Sequence, residues 1–208
     1  MFHFPDRPFA NAGDYAEAYF EEIGRANAGV SRDAIASAAA LIDRAVADGA
    51  TIFSCGNGGS AAISNHLLCD CLKGVRSGTD VRPRVQTLSS AVELITAIVN
   101  DIGAAEMFAL PLSSLGKKGD LLIAISSSGA SPNIVRALEV ARTLDMRTIA
   151  MTGFDGGEAA KMADVSLHVD AANYGVVEDV HQSLMHILAQ NLRQSNLIDP
   201  AEFGRVRF

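Results

Sequence analysis

The stretch GDLLIAISSSGASPNIVRALEVARTLDM, residues 119–146, decides the fold class. It opens with an apolar run at 120–126 that has the length and composition of a buried strand, then passes through a turn rich in Ser and Gly. From 132 to 144 its apolar residues recur every three or four positions, the spacing of a helix packed on one side. Ser131 stands at the N-cap position and Pro132 at the first helical position, where its missing N–H costs nothing. The unit is strand, turn, helix, and it recurs on both sides. Upstream, ATIFSCG (50–56) is a strand ending in a glycine turn and SAAISNHLLCDCLKG (60–74) is helical. RVQTL (84–88) is the next strand, followed by helical segments at 91–99 and 104–115. Downstream come a strand at 147–152, a helix at 157–162, a strand at 165–169 and a long amphipathic helix at 176–195. Ahead of all of these, 14–28 and 31–48 read as two helices, the second with Ser31 as N-cap. Strands alternating with helices predict a doubly wound α/β domain, a parallel sheet with helices on both faces.

The expected organisation is a single domain over 1–208, with N-terminal helices at 14–48, an α/β core at 49–195 and a short tail at 196–208 to which no role is given. The 208 residues carry 24 Asp plus Glu against 17 Lys plus Arg, a formal charge of −7. That balance excludes the basic stripe that nucleic-acid backbones require, so no direct nucleic-acid contact is expected. A phosphorylated ligand has to be held by backbone amides and hydroxyls instead. Apolar residues make up 49% of the chain and 18 Gly add to them, a surplus that favours a homo-oligomer. Three Cys, with Cys69 and Cys71 two apart on a helix, make neither a disulfide framework nor a zinc knuckle. They read, with Cys55, as small packing residues in a reducing compartment. No basic start leads into an apolar run, and no stretch of 18 apolar residues occurs, so the expectation is a cytoplasmic protein without a membrane partner.

Two turns carry chemistry. In SCGNGGS (54–60), glycines let the backbone turn tightly and aim N–H groups at a ligand beside the positive end of the next helix. The spacing is neither GxGxxG nor GxxxxGK[ST], so no nucleotide cofactor is expected. In ISSSGASPN (125–133), three consecutive hydroxyls, Ser126, Ser127 and Ser128, stand at a strand's carboxyl end, with Ser131 opening the helix. Capping and turning account for Ser131 but not for the run of three, and ligands of open α/β sheets sit at that end. Together the turns indicate a phosphate site.

These motifs, with the later TGFDGG and ADVSLHV, resemble the sugar isomerase (SIS) domain, and from about residue 14 to 195 the chain is most similar to bacterial phosphoheptose isomerases. The resemblance implies a five-stranded parallel sheet, a homotetramer with active sites at subunit interfaces, and isomerisation of sedoheptulose 7-phosphate to an aldoheptose 7-phosphate. It places phosphate contacts on Ser60, Ser126, Ser128 and Ser131, lines the sugar with Asn57 and Ser127, and puts Asp101 near the substrate. The family's His and catalytic Glu on the helix after the first turn correspond to His66 and Asp70. Its Gln and catalytic His on the last helix, which in some members complete a zinc site, correspond to Glu178 and His186.

The residues themselves support this chemistry. His66 and Asp70 are four apart and share a helix face, and Glu178, Gln182 and His186 step along another at the same spacing. An aldose–ketose exchange needs a base beside the carbonyl and an acid or metal to stabilise the enediolate, and Asp70 with His186 is the expected acid/base pair. Two His and two carboxylates, His66, Asp70, Glu178 and His186, also make a divalent-metal set, with zinc the leading ion. Glu178 is expected to touch substrate as well. His181 lies off this face and reads as a supporting or interface residue, His168 as a strand-end residue, and Lys73 as a cation at a helix C-terminus. Because Asp70 and Glu178 replace the family's Glu and Gln, and NYGVV stands before Glu178, a second expectation is retained. It is a non-catalytic SIS module that binds a phosphosugar as a sensor, or an oligomeric adaptor like the relatives that bind the replication initiator DnaA.

Overall fold

A computed structural model describes residues 4–199 and 201. Helices α1 (Ala12–Gly29) and α2 (Arg32–Ala47) lead the chain. The Asn11 side chain accepts from the amides of Gly13 and Asp14 at the start of α1, and Ser31 accepts from Ala34 at 3.2 Å at the start of α2. Then follow β1 (Thr51–Gly56), α3 (Gly59–Cys69), β2 (Arg84–Thr87), α4 (Val92–Asp101), α5 (Ala109–Leu115), β3 (Leu121–Ser126), α6 (Pro132–Thr143), β4 (Arg147–Thr152), α7 (Gly157–Met162), β5 (Val165–His168) and α8 (Tyr174–Gln194).

The five strands form one parallel sheet in the order β2-β1-β3-β4-β5. Alternate strand residues feed two apolar layers, as the period of a strand requires. Ile52, Leu121, Ile123, Ile125, Ile149 and Met151 pack with Ile42 of α2, Leu67 of α3 and Val180 and Leu184 of α8. Phe53, Leu122, Ala124 and Ala150 pack on the other face with Leu112 of α5 and Ile134 and Leu138 of α6. At the amino end of the sheet, the buried Asp120 accepts from the amides of Thr51 (2.8 Å) and Lys117 (3.0 Å), tying β1 to β3.

Two expected helices are interrupted. The one expected over 60–74 ends at Cys69, and Asp70–Gly74 is a π-turn in which the Val75 amide donates to the Asp70 carbonyl at 2.8 Å. The one expected over 104–115 divides into a 3-10 turn, Ala104–Glu106, and α5. Pro111 has no N–H to give the carbonyl one turn before it, so a continuous helix cannot run through. The first part of the tail is anchored, with Thr79 and Leu197 forming an antiparallel bridge and Ile198 N–H donating to Gly78 at 3.1 Å. The rest of the tail, residues 200 and 202–208, lies outside the described residues. Among those described, no helix is long and apolar enough to cross a membrane.

Candidate active site

The chain leaves β1 toward β2 on one side and β3 toward β4 on the other, so a crevice opens above the carboxyl ends of β1 and β3. Gly56 is in register with Ile125, which sets the two ligand-type turns side by side. They are bonded to each other. Asn57 Nδ2 donates to Asn133 Oδ1 at 3.0 Å and Asn133 Nδ2 donates to Asn57 Oδ1 at 2.8 Å. Asn133, buried at the start of α6, went unnoticed in the sequence; its one signal was a polar side chain in the first turn of an otherwise apolar-faced helix.

In the serine turn, Ser126 Oγ accepts from the Gly129 amide at 3.2 Å and lies 3.4 Å from Ser131 Oγ. Ser128 Oγ accepts from the Ala130 amide at 3.3 Å. Ser127 Oγ is buried with no partner, an orphan that a ligand oxygen would satisfy. Ser60 is buried in the first turn of α3. Ser131 holds the N-cap position with Pro132 behind it, but its side chain takes no helix amide. Its hydroxyl is turned toward Ser126; Pro132 has no N–H and the Ile134 and Val135 amides donate to the Ser131 carbonyl, which leaves the Asn133 amide at the start of α6 for an anion. Gly129 has φ +62°, and a Cβ there would run into the Gly156 carbonyl, so only glycine permits this turn to lie against the loop after β4.

The second group sits where α3 and α8 face each other. His66 Nε2 is 3.3 Å from Asp70 Oδ1, and His186 Nε2 is 3.8 Å from Asp70 Oδ2. The two imidazoles meet edge to face at 5.1 Å. One donor atom from each of His66, Asp70 and His186 lies within 4.8 Å of the others. Asp70 Oδ2 is buried without a hydrogen-bond partner. An orphaned carboxylate oxygen between two imidazoles fits a divalent cation, and the donor set is the N,N,O combination that such ions take. Gln182, half-buried, places its amide nitrogen 3.0 Å from His186 Nε2.

Other expected residues are placed elsewhere. Glu178 is not in the His66–Asp70–His186 group; its carboxylate presses on Gly59 at the amino end of α3, where a Cβ would collide with it. Burial, and then the charge of Asp179, hold the Glu178 carboxyl above its ordinary pKa. Asp101 is exposed at the end of α4, where it accepts from Asn100 Nδ2 at 2.6 Å, and no hydrogen bond joins it to the turns or to the His–Asp group. His181 is fully buried and its Nε2–H donates to the Thr152 carbonyl at 3.2 Å. His168, half-buried at the end of β5, lies 3.1 Å from Thr152 Oγ1. Lys73 is exposed in the π-turn. Cys55 and Cys71 are buried and burial pushes their thiols up to about 12, whereas Cys69 is exposed and is not a core residue.

A parallel sheet in this order, with hydroxyl-rich turns at its switch point, defines a class of protein, and the model of the SIS domain matches residues 16–153; the chain belongs to that family. Its relatives within the family carry a particular name. The phosphoheptose isomerase of Nitratidesulfovibrio vulgaris is 37% identical over 143 residues, 69% of this chain and 68% of that protein. That of Alteromonas mediterranea is 36% identical over 173 residues, 82% of this chain and 86% of its own length. A solved phosphoheptose isomerase structure from Francisella tularensis matches with a TM-score of 0.82 at 32% identity, covering 88% of this chain and 99% of that one. The expected family and the expected five-stranded α/β sheet are both borne out.

Proposed function

We propose that the protein is a phosphosugar aldose–ketose isomerase that interconverts sedoheptulose 7-phosphate and D-glycero-D-manno-heptose 7-phosphate. One observation carries this reading: α3 begins in an anion cradle of hydroxyls and amides, and at its far end His66, Asp70 of the π-turn and His186 of α8 form an imidazole–carboxylate–imidazole group. Ser60, Ser126, Ser127, Ser128 and Ser131 hold the phosphate, helped by the amides that open α3 and by the Asn133 amide of α6. Asn57 and Glu178 contact the sugar hydroxyls beside it.

At the reacting end, the Asp70 carboxylate takes a proton from C1 of the ketose. The C–H electron pair becomes the C1=C2 double bond, and the carbonyl pair moves onto O2. The proton then returns to C2, while His186 transfers the O1 proton to O2, leaving an aldehyde at C1. His66, Asp70 and His186 would hold a divalent cation, and two imidazoles with a carboxylate are a set that zinc takes. When bound, it supplies positive charge opposite the oxygens that become anionic.

The reading includes a homotetramer with sites at subunit interfaces. Supporting it, α4 and the residue that follows it leave Val92, Leu94, Val99 and Ile102 exposed, with Val92 at 63% and Ile102 at 59%. A soluble helix that leaves such a face bare is covered by another subunit. Asp101 ends this helix, so a neighbour docked on α4 brings Asp101 to a shared site. Light scattering reports the assembly, and a monomer removes Asp101 from the site.

The test is turnover of sedoheptulose 7-phosphate by purified protein as isolated, after chelator treatment, and with zinc restored. Conversion lost with the chelator and regained with zinc is the expected result. No conversion in any state, with the phosphosugar still raising the melting temperature, would overturn catalysis on this sugar and leave a binding module.

A further inference from the structure

We propose that the loop after β4, residues 153–157, aims the serine turn at its anion, with Gly157 and Asp155 as positioning residues. It rests on the reading of that turn as a phosphate site and not on which sugar is turned over.

Two amides from this segment are given to the turn. Gly153 N–H donates to the Ser127 carbonyl at 2.8 Å, and Ala159 N–H, in the first turn of α7, donates to the Gly129 carbonyl at 2.9 Å. A trans peptide holds its C=O and its N–H on opposite sides. With the Ser127 carbonyl turned to the β4 loop, the Ser128 N–H faces away from it. Because β3 lies between β4 and β1, that direction leads to the crevice and the turn after β1. The second bond fixes the Gly129–Ala130 peptide in the same way, and its N–H goes to Ser128 Oγ at 3.3 Å, which orients that hydroxyl. Ser127 Oγ, buried without a partner, is carried on the same held segment.

The loop is strained and braced where it meets the turn. Phe154 sits in the left-handed region at φ +51°, and Gly156 and Gly157 follow at +81° and +53°. Phe154 is kept there by its N–H bond to the Ala171 carbonyl at 2.9 Å and by its ring against Tyr174, with centroids 4.8 Å apart. Gly156 N–H closes on the Gly153 carbonyl at 2.8 Å, and Asp155 Oδ1 accepts from the Gly157 amide at 3.2 Å. A Cβ on Gly157 would lie 2.6 Å from the Gly129 oxygen and 2.7 Å from the Ser128 oxygen. A loop that only joined β4 to α7 would need neither a left-handed Phe nor so close an approach. Strain persists where the surroundings hold it, and here they hold it against the ligand turn.

The test follows amide NMR spectra of the isotope-labelled full chain during titration with inorganic phosphate. In the unaltered chain the Ser128 and Ser60 amides are expected to shift together. Gly157→Ala is expected to weaken phosphate binding by tenfold or more and to shrink the Ser128 shift at saturation, with Ser60 still responding. Asp155 is exposed, so Asp155→Ala introduces no clash; it is expected to weaken binding about threefold, and Asp155→Asn, whose side-chain oxygen accepts the same bond, to restore it. Melting curves verify folding. A merely structural role would lower the melting temperature and leave phosphate Kd and the Ser128 shift unmoved. The proposal is overturned if either weakened variant, once folded, binds phosphate as tightly as the unaltered chain, or if phosphate binds the unaltered chain without moving the Ser128 amide. Absence of sedoheptulose 7-phosphate turnover, with these phosphate results intact, would sink the isomerase assignment and leave the positioning role standing. Absence of phosphate binding by the unaltered chain would sink both.

Discussion

Lowering the pH will destabilise this protein through His181 before most of its carboxylates are protonated. The imidazole is fully buried between α8 and the end of β4, with Nε2–H given to the Thr152 carbonyl and Nδ1 without a partner. Burial, partly offset by the Thr152 bond, takes its pKa from 6.5 down to about 4. The native ring therefore stays neutral while the unfolded ring gains a proton below about 6.5, so the unfolded state binds more protons and stability falls with pH. His181 stabilises the fold fully above that value. The contribution fades as pH drops and is gone below about 4. Between pH 7.5 and 4.5 a shift of this size removes about 2.5 kcal/mol. Other groups titrate in the same range, so the quantity to measure is a difference. Urea unfolding of the unaltered chain and of His181→Gln at both pH values should show the unaltered chain losing about 2.5 kcal/mol more. Equal losses, or an NMR titration of His181 centred near 6.5, would refute the reasoning. The effect reaches the ligand turn, because Thr152 is the register partner of Ser126.

Three further outcomes are expected. Asp70→Asn keeps the size of the side chain and removes the base, so turnover of the phosphosugar falls by about 10²–10⁴ while its thermal-shift signal persists; retained turnover would move the base elsewhere. Ser126→Ala and Ser128→Ala each remove a hydroxyl from a charged phosphate, worth about 1.5–3 kcal/mol, and calorimetric Kd should rise by roughly ten- to a hundredfold without loss of the fold. Gly129→Ala meets both a positive φ and the Gly156 carbonyl, so chemical denaturation should show a loss above about 2 kcal/mol, and an unchanged midpoint would contradict the turn geometry.

The strands were legible because a buried parallel strand is a short apolar run between turn signals, and β4 matches its expected bounds at 147–152. The order of strands was not, since patterning says which residues are buried but not which strand lies beside which. DCLKG reads as ordinary helix, and nothing in five residues signals that the carbonyl of Asp70 will reach Val75 and not Gly74. The His–Asp pair of α3 was legible from its spacing. Glu178 was grouped with His186 through the family resemblance, whereas two steps of four rotate the side chain by about 80° and carry it along the axis to the other end of α3. Gln182, one step away, is the residue that stays with His186.

The two outer strands, β2 and β5, have four residues each, against six in each of the three between them. Each therefore offers a stranger only a short row of free amides and carbonyls, and β2 opens on the exposed, charged Arg84. Lateral extension of the sheet by a second chain is disfavoured at both rims. Self-association of this molecule is thereby channelled onto its helices, where contact area is set by side-chain shape and can stop at a finite number of copies, in place of the open-ended ribbon that sheet edges promote.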